Sequence, residues 1–80
     1  MQILDAEATR AALPFDRLIP ALRHLFATGC EAPQRHVHQV AAPGGGFTSL
    51  IMPAWVPGRC YGVKTVNIAP HNAALGLPGL

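Results

Sequence analysis

Residues 35–68, RHVHQVAAPGGGFTSLIMPAWVPGRCYGVKTVNI, contain three runs rich in Val, Ile, Thr and aromatic residues, separated by clusters of Pro and Gly. β-branched and aromatic residues favour strands, whereas Pro and Gly favour the turns between them. This stretch therefore predicts three strands, at residues 35–40, 47–52 and 61–68. The two connections, residues 41–46 and 53–58, are predicted to be hairpin-type turns. Strands joined by such turns form an antiparallel sheet.

The residues before this stretch carry helix signals. Asp5 precedes an alanine-rich segment, which is typical of a capped helix and predicts a short helix ending near Pro14. Six apolar residues then recur at the helical period: Phe15, Leu18, Ile19, Leu22, Leu25 and Phe26. This second helix is predicted to begin close to Asp16, with Pro20 in its first turn or at a kink, and to end at Gly29. The predicted fold class is α+β, with N-terminal helices packed on an antiparallel sheet.

Length and composition limit the chain to one small domain. It has 80 residues, of which 50% are hydrophobic and 12% charged, with a formal net charge of +2. The charged share is low beside the roughly 25% of typical globular proteins, so we expect either a covered surface or an incomplete chain. Residues 76–80, GLPGL, contain only apolar and turn residues. We therefore interpret residues 1–80 as one truncated domain at the N-terminus of a longer protein.

Several classes of function are disfavoured by what the sequence lacks. Its cations form no basic cluster, which argues against nucleic-acid binding. The longest charge-free run, residues 36–58, contains three prolines and four glycines and therefore cannot form a membrane helix. The three glycines after Pro43 are followed by neither a Lys-Ser/Thr pair nor a helix, which disfavours a phosphate-binding loop.

The histidines and cysteines lack the spacing of a metal site. His36, His38, His71, Cys30 and Cys60 form neither a C-x-x-C nor an H-x-x-x-H pattern, so no metal is predicted. The N-terminus does not resemble a secretory signal, which favours free thiols in a reducing, cytoplasmic setting.

The distribution of charge points to a binding site. All four carboxylates lie within the first 31 residues, and between residues 32 and 80 the only charged side chains are those of Arg35, Arg59 and Lys64. Cations without a local counter-ion must reach water, pair with the first 31 residues, or bind an anion supplied from outside.

Lys64 and Arg35 are the candidates for that third role. Strand alternation places Lys64 on one face with Val66 and Ile68, so it is either a lysine that snorkels from a strand edge or an ammonium in a mostly apolar pocket. Arg35 is either an ordinary surface arginine or a two-point partner for a carboxylate.

Four stretches of this sequence resemble the N-terminal part of the ornithine cyclodeaminase/mu-crystallin family: APQRHVH at 32–38, GGFTSLIMPAW at 45–55, YGVKTVN at 61–67 and NAALGLP at 72–78. The resemblance covers essentially the whole chain. It implies an incomplete substrate-binding and dimerisation domain, and a Rossmann domain beyond residue 80 that binds NAD or NADP. It also implies a homodimer with a small amino or imino acid as its substrate.

The resemblance also assigns site residues. Arg35 matches the arginine that binds the substrate carboxylate, and Lys64 matches a lysine that contacts the substrate near the reacting carbon and is our candidate catalytic residue. Met52 is expected to line the same pocket. Cofactor-binding residues lie beyond residue 80 in the family and are not assigned here. His71 stands where relatives often have glycine, and Leu75 where many have arginine, which leaves the exact substrate open.

The leading reaction implied by the resemblance is the conversion of L-ornithine to L-proline and ammonia through transient hydride transfer to NAD. The alternatives are an NAD(P)H-dependent reductase of the cyclic ketimine Δ1-pyrroline-2-carboxylate, a non-catalytic ligand-binding protein of the mu-crystallin type, and a standalone dimerisation module. The 80-residue chain by itself is expected to be inactive, to bind no NAD(P), and to associate through its strands.

Overall fold

The fold consists of two helices, three strands and a final 3₁₀ helix, and a computed structural model describes all 80 residues. In chain order the elements are α1 (Ala6–Ala12), α2 (Phe15–Thr28), β1 (His36–Val40), β2 (Phe47–Val56), β3 (Cys60–Ile68) and the 3₁₀ helix Pro70–Leu75. The strands form one antiparallel sheet in the order β1-β2-β3. The α+β class predicted from the sequence is confirmed. Neither helix is long and apolar enough to cross a membrane.

The predicted ends of the helices are largely confirmed. The Asp5 carboxylate accepts a hydrogen bond of 2.8 Å from the backbone N–H of Ala8, which is the N-cap contact that its position predicts. At the far end of α2, Gly29 has φ 79° and its N–H donates to the carbonyl of Leu25 at 2.7 Å. Glycine reaches this positive φ without a steric cost, so the helix ends there.

Pro20 lies deeper in α2 than predicted. The helix begins at Phe15 because Pro14, with φ −64° and ψ 142°, already occupies the N-cap position. The Pro14 carbonyl accepts from the N–H groups of Arg17 and Leu18, at 3.0 and 2.9 Å. Pro20 is therefore the sixth residue of the helix instead of a first-turn residue, and its ring removes one helical hydrogen bond there.

The second predicted turn is displaced along the chain. Residues 53–58 were expected to form it, but β2 continues through Val56 and the turn is confined to residues 57–59. β1 begins at His36 and β3 at Cys60, each one residue away from the predicted start. The first turn, residues 41–46, lies where the sequence predicted it.

Pro53 is tolerated inside the central strand because of a local irregularity beside it. Trp55 exchanges both backbone hydrogen bonds with Glu31, at 2.8 and 2.9 Å. Because alternate residues of a strand direct their backbone groups to the same side, the nitrogen of Pro53 also faces this neighbouring segment. From Glu31 to His36 the chain advances five residues, while the paired positions on β2, Trp55 to Ile51, advance only four. Pro53 thus lies opposite a bulge, where a missing N–H breaks no ladder bond.

The register assigns side chains to two faces of the sheet. Met52 is paired with Lys64, so their side chains lie on the same face of the sheet, which we call the Lys64 face. The hydroxyl of Thr48 donates to the side-chain oxygen of Gln39 at 2.8 Å on this face. On the opposite face the rings of Trp55 and Tyr61 have centroids 6.3 Å apart. The alternation predicted for the third strand is confirmed.

Against our prediction, the helices do not pack across a face of the sheet. Bridging of Glu31 to Trp55 instead holds the end of α2 beside the β2–β3 hairpin, where Ala21, His24 and Leu25 border Val56 and Cys60. No residue is buried, and the accessible surface is 6855 Å², against about 4,700 Å² for a compact chain of this mass. The radius of gyration is 16.6 Å, against about 12 Å for a compact domain. The chain thus has a well-paired sheet but no enclosed core.

Candidate carboxylate-binding row

Two of the three residues proposed for the site are paired across the sheet, and the third directly precedes the remaining strand. Met52 on β2 is paired with Lys64 on β3, and His36 on β1 is paired with Ile51. Arg35 directly precedes β1, in the irregular segment between Glu31 and His36, and has no paired residue on β2. Its neighbour His36 is paired with Ile51, next to Met52, so Arg35 lies near the end of the sheet where Met52 and Lys64 are paired. We call Arg35, Met52 and Lys64 the cation row.

Both cations of this row are exposed and lack a side-chain hydrogen bond. Neither Arg35 nor Lys64 takes part in any of the four side-chain hydrogen bonds of the chain. Glu31, the carboxylate nearest in sequence, is paired with Trp55 and therefore lies at the opposite face. The Lys64 face thus carries positive charge and no carboxylate of its own. A bound carboxylate, with two acceptor oxygens, would match the donors of a guanidinium and an ammonium.

The cation row lies between two rows of different character. On one side the paired residues are Val37, Leu50 and Val66, all aliphatic. On the other side Ala54 is paired with Gly62, and a Cβ added to Gly62 would meet no atom within 4 Å. An ion on this face would therefore have apolar carbon on one side and open space on the other. Apolar surroundings strengthen the interaction between unlike charges once water is displaced.

The cation row lies on an open surface of the sheet. The larger clefts of the chain are lined by other residues, and two of them, each of about 500 Å³, border the β2–β3 turn. Met52 is half-buried and is paired with Lys64. A small ligand bound here would need a further element to cover its outer side. The assignment of Met52 to a pocket wall therefore stays a prediction.

The histidines and cysteines lie elsewhere. His36 and His38 are both on the face opposite the cation row, with ring centroids 6.3 Å apart. No group of three or more His, Cys, Asp or Glu side chains is arranged to hold a metal ion. Cys30 and Cys60 are exposed free thiols.

The structure brings together one cluster that the sequence did not predict. Arg59, in the β2–β3 turn, borders clefts shared with His24 and Cys30 on one side and with Cys60 on the other. His24 and Cys30 come close to Arg59 where Glu31 bridges Trp55, a pairing between segments that are far apart in the sequence. The cluster is therefore a consequence of tertiary pairing.

Comparison with known proteins identifies one relative over nearly the whole chain. A protein of Schizosaccharomyces pombe (strain 972 / ATCC 24843), described only as uncharacterized, is 37% identical to it over 83 residues. The alignment covers 99% of this chain and 25% of that protein, so the chain spans about a quarter of the length of the curated relative that it matches. No protein-family model matches the chain. No solved structure matches it either.

Proposed function

We propose that this chain supplies the substrate-binding face of an NAD(P)-dependent enzyme of the ornithine cyclodeaminase type, acting on a small amino or imino acid. The observation that supports the proposal is the pairing of Lys64 with Met52 on a sheet face that has no carboxylate, with Arg35 one residue before β1. The sequence resemblance assigned roles to these same three residues.

In this proposal each residue of the row has a separate task. Arg35 binds the substrate carboxylate through its planar guanidinium, which suits a two-point contact. Lys64, on β3, also binds the carboxylate and is the catalytic residue, which holds or transfers a proton near the reacting carbon. Met52 supports the ligand from below. The leading reaction is the conversion of L-ornithine to L-proline and ammonia.

Residues 1–80 do not themselves fit a dinucleotide. The three consecutive glycines, Gly44 to Gly46, belong to the turn between β1 and β2 and are not followed by a helix whose N-terminus would hold a pyrophosphate. In the proposal NAD or NADP, which supplies the hydride acceptor or donor, is bound by a Rossmann domain outside this chain.

The reductase of the cyclic ketimine Δ1-pyrroline-2-carboxylate is the second candidate. The aliphatic row Val37, Leu50 and Val66 beside the cations favours it, because the ring of this substrate is largely hydrocarbon. A binding protein of the mu-crystallin type would use the same contacts without turnover.

We further propose that the complete protein is a cytoplasmic homodimer. The large share of exposed apolar side chains supports an assembly that covers them. The two free thiols fit a reducing compartment.

An assay of the complete protein tests the proposal. L-Ornithine with NAD, and the cyclic ketimine with NADH or NADPH, are supplied separately, and dinucleotide absorbance and proline are measured. Turnover of either compound supports the enzyme, and its identity selects the reaction. Binding of a carboxylate ligand without turnover would favour the non-catalytic binding protein over the enzyme. Absence of both would contradict the proposal.

A further inference from the structure

We infer that His36 and His38 form a two-ligand site for one divalent transition-metal ion of the kind that prefers imidazole, such as Zn(II). Both residues belong to β1 and lie on the face of the sheet opposite the Lys64 face. The site is separate from the proposed carboxylate site, and neither histidine has a role in that proposal.

The spacing of the two histidines suits a strand. Side chains two residues apart in a strand lie on the same face, about 6.6 Å apart along the chain. The register shows this placement, because His36 is paired with Ile51 and His38 with Ser49, which are themselves two residues apart on β2. The H-x-x-x-H pattern that the sequence lacks is the spacing that brings two histidines to one face of a helix. H-x-H is its counterpart in a strand.

The two rings are close enough to share one ion after small rotations. Their centroids are 6.3 Å apart and their planes are inclined by 58°. Zn–N bonds of about 2.0–2.1 Å at a tetrahedral ion place the centroids of two ligating imidazoles about 5 Å apart. Both side chains are exposed and no residue of the chain is buried. The rings can therefore turn toward one ion without disturbing a packed core.

The ring nitrogens of both histidines are free to bind a metal. Neither ring takes part in any of the four side-chain hydrogen bonds of the chain. Neutral imidazole is the commonest metal ligand among side chains. It suits Zn(II), Cu(II) and Ni(II), whereas Mg²⁺ and Ca²⁺ prefer carboxylate, carbonyl and water oxygens. The pair therefore selects a transition metal.

The other coordination positions are left to water and to neutral oxygens. β1 is an edge strand, so no further strand crowds the pair on its outer side. On the inner side Ser49 is paired with His38, and Asn67 with Ser49. No carboxylate or thiol completes the set, since no group of three or more His, Cys, Asp or Glu side chains is arranged to hold a metal. Two protein ligands with open positions bind an exchangeable ion, in contrast to the four ligands of a closed structural site.

Chemical modification of the complete protein tests the site residue by residue. Diethyl pyrocarbonate modifies exposed imidazoles that hold no metal, and all four histidines of residues 1–80 are exposed. As Zn(II) is added, peptide mass spectrometry should show protection of His36 and His38 at the same zinc concentration. His24 and His71 should stay reactive. Mg²⁺ at the same concentrations should protect none of the four.

Two variants show whether the shared face matters. In His36→Asn the zinc concentration that protects His38 should rise about tenfold or more, because two linked ligands hold one ion more tightly than one ligand does. Val37→His combined with His38→Val keeps the number of histidines and moves one of them to the Lys64 face. This double variant should raise the zinc concentration that protects His36 to the same extent.

Three results would overturn the inference. The first is the absence of protection by Zn(II), or protection of His36 and His38 at different zinc concentrations. The second is equal protection of His24 and His71. The third is an unchanged protecting concentration for His36 in the double variant, since histidine content alone would then explain the binding. The carboxylate site is tested by other residues and stands or falls separately.

Discussion

At the scale of single residues, the neighbours of Lys64 on the sheet say more about its role than its exposure does. An exposed lysine on a strand is ordinarily a solvated group, and Lys64 alone fits that description. Lys64 is paired with Met52, and Arg35 lies one residue before β1, whose first residue His36 is paired with Ile51, so a second cation lies near the same part of the sheet. Two neighbouring cations with no acid on the Lys64 face favour an external anion as their partner.

Gly46 offers a test of the β1–β2 turn. Its φ is 80°, and a Cβ at this position would overlap the carbonyl oxygen of Val40. Gly46→Ala is therefore expected to destabilise the complete protein by about 2–4 kcal/mol, because an unfavourable φ is combined with a clash against rigid backbone. Gly44 is the matched control, since its φ is 87° but a Cβ would meet nothing within 4 Å. A urea midpoint as high in Gly46→Ala as in Gly44→Ala would contradict this expectation.

Gly45 and His71 bring this turn into contact with the 3₁₀ helix. The ring of His71 lies where a Cβ on Gly45 would be, so Gly45→Ala forces that side chain away. The loss of stability in Gly45→Ala should be partly restored by the additional change His71→Gly, which removes the ring. Thermal melting of the two variants and the double variant measures the coupling. Strictly additive effects would show that the contact does not constrain the turn.

At the scale of elements, composition does not reveal that β2 continues through Pro53. The sequence around it reads as a turn because Pro is depleted from central strands, yet β2 passes through it opposite the bulge between Glu31 and His36. A proline beside an irregular segment and a proline in a turn look alike in sequence, since the bulge depends on pairing with a distant segment.

Pairing between distant segments also decides which parts of the site could be predicted from the sequence. The face of Lys64 follows from strand alternation alone, and the three glycines mark the first turn correctly. The approach of Arg35 to Met52 and Lys64, in contrast, depends on how distant segments pair, and this pairing is not set by local propensity. The place of α2 was mispredicted for a related reason, because its apolar stripe indicates burial without specifying the partner.

Replacement of Pro53 tests the explanation of its tolerance. Pro53→Ala should change the free energy of unfolding by less than about 0.5 kcal/mol, because the restored N–H faces the bulge. The matched variant Leu50→Pro should be strongly destabilising, by about 3 kcal/mol, because the backbone of Leu50 is directed to β3 and the ladder bond is lost. Denaturant unfolding of both variants compares them. Similar losses would refute the assignment of the bulge.

At the scale of the whole molecule, the chain exposes apolar surface that a compact domain would cover. No residue is buried, and large side chains such as Phe15, Phe26 and Val63 are at least half exposed. Both edges of the sheet, β1 and β3, are unpaired along the outside. Unprotected edges and apolar patches promote association.

The 80-residue chain expressed alone is therefore expected to self-associate and to bind neither NAD nor NADP. Sedimentation velocity and a fluorescence titration with the dinucleotides measure the two properties. A monodisperse monomer would show that the open sheet is stable without a covering partner. Dinucleotide binding by that chain would show that the cofactor site includes these residues.

The most direct test of the cation row is a kinetic comparison of three single variants of the complete protein: Arg35→Ala, Lys64→Ala and Arg59→Ala. Arg59 is the control, because it is the third cation of the acid-free region but lies in the β2–β3 turn, away from the row. We expect Arg35→Ala to raise KM for the carboxylate substrate about 100-fold, since a charge-assisted contact is lost. Lys64→Ala should lower kcat as well, and Arg59→Ala should leave both constants near the wild-type values. Wild-type kinetics in Arg35→Ala and Lys64→Ala would contradict the assignment of this row as the substrate site.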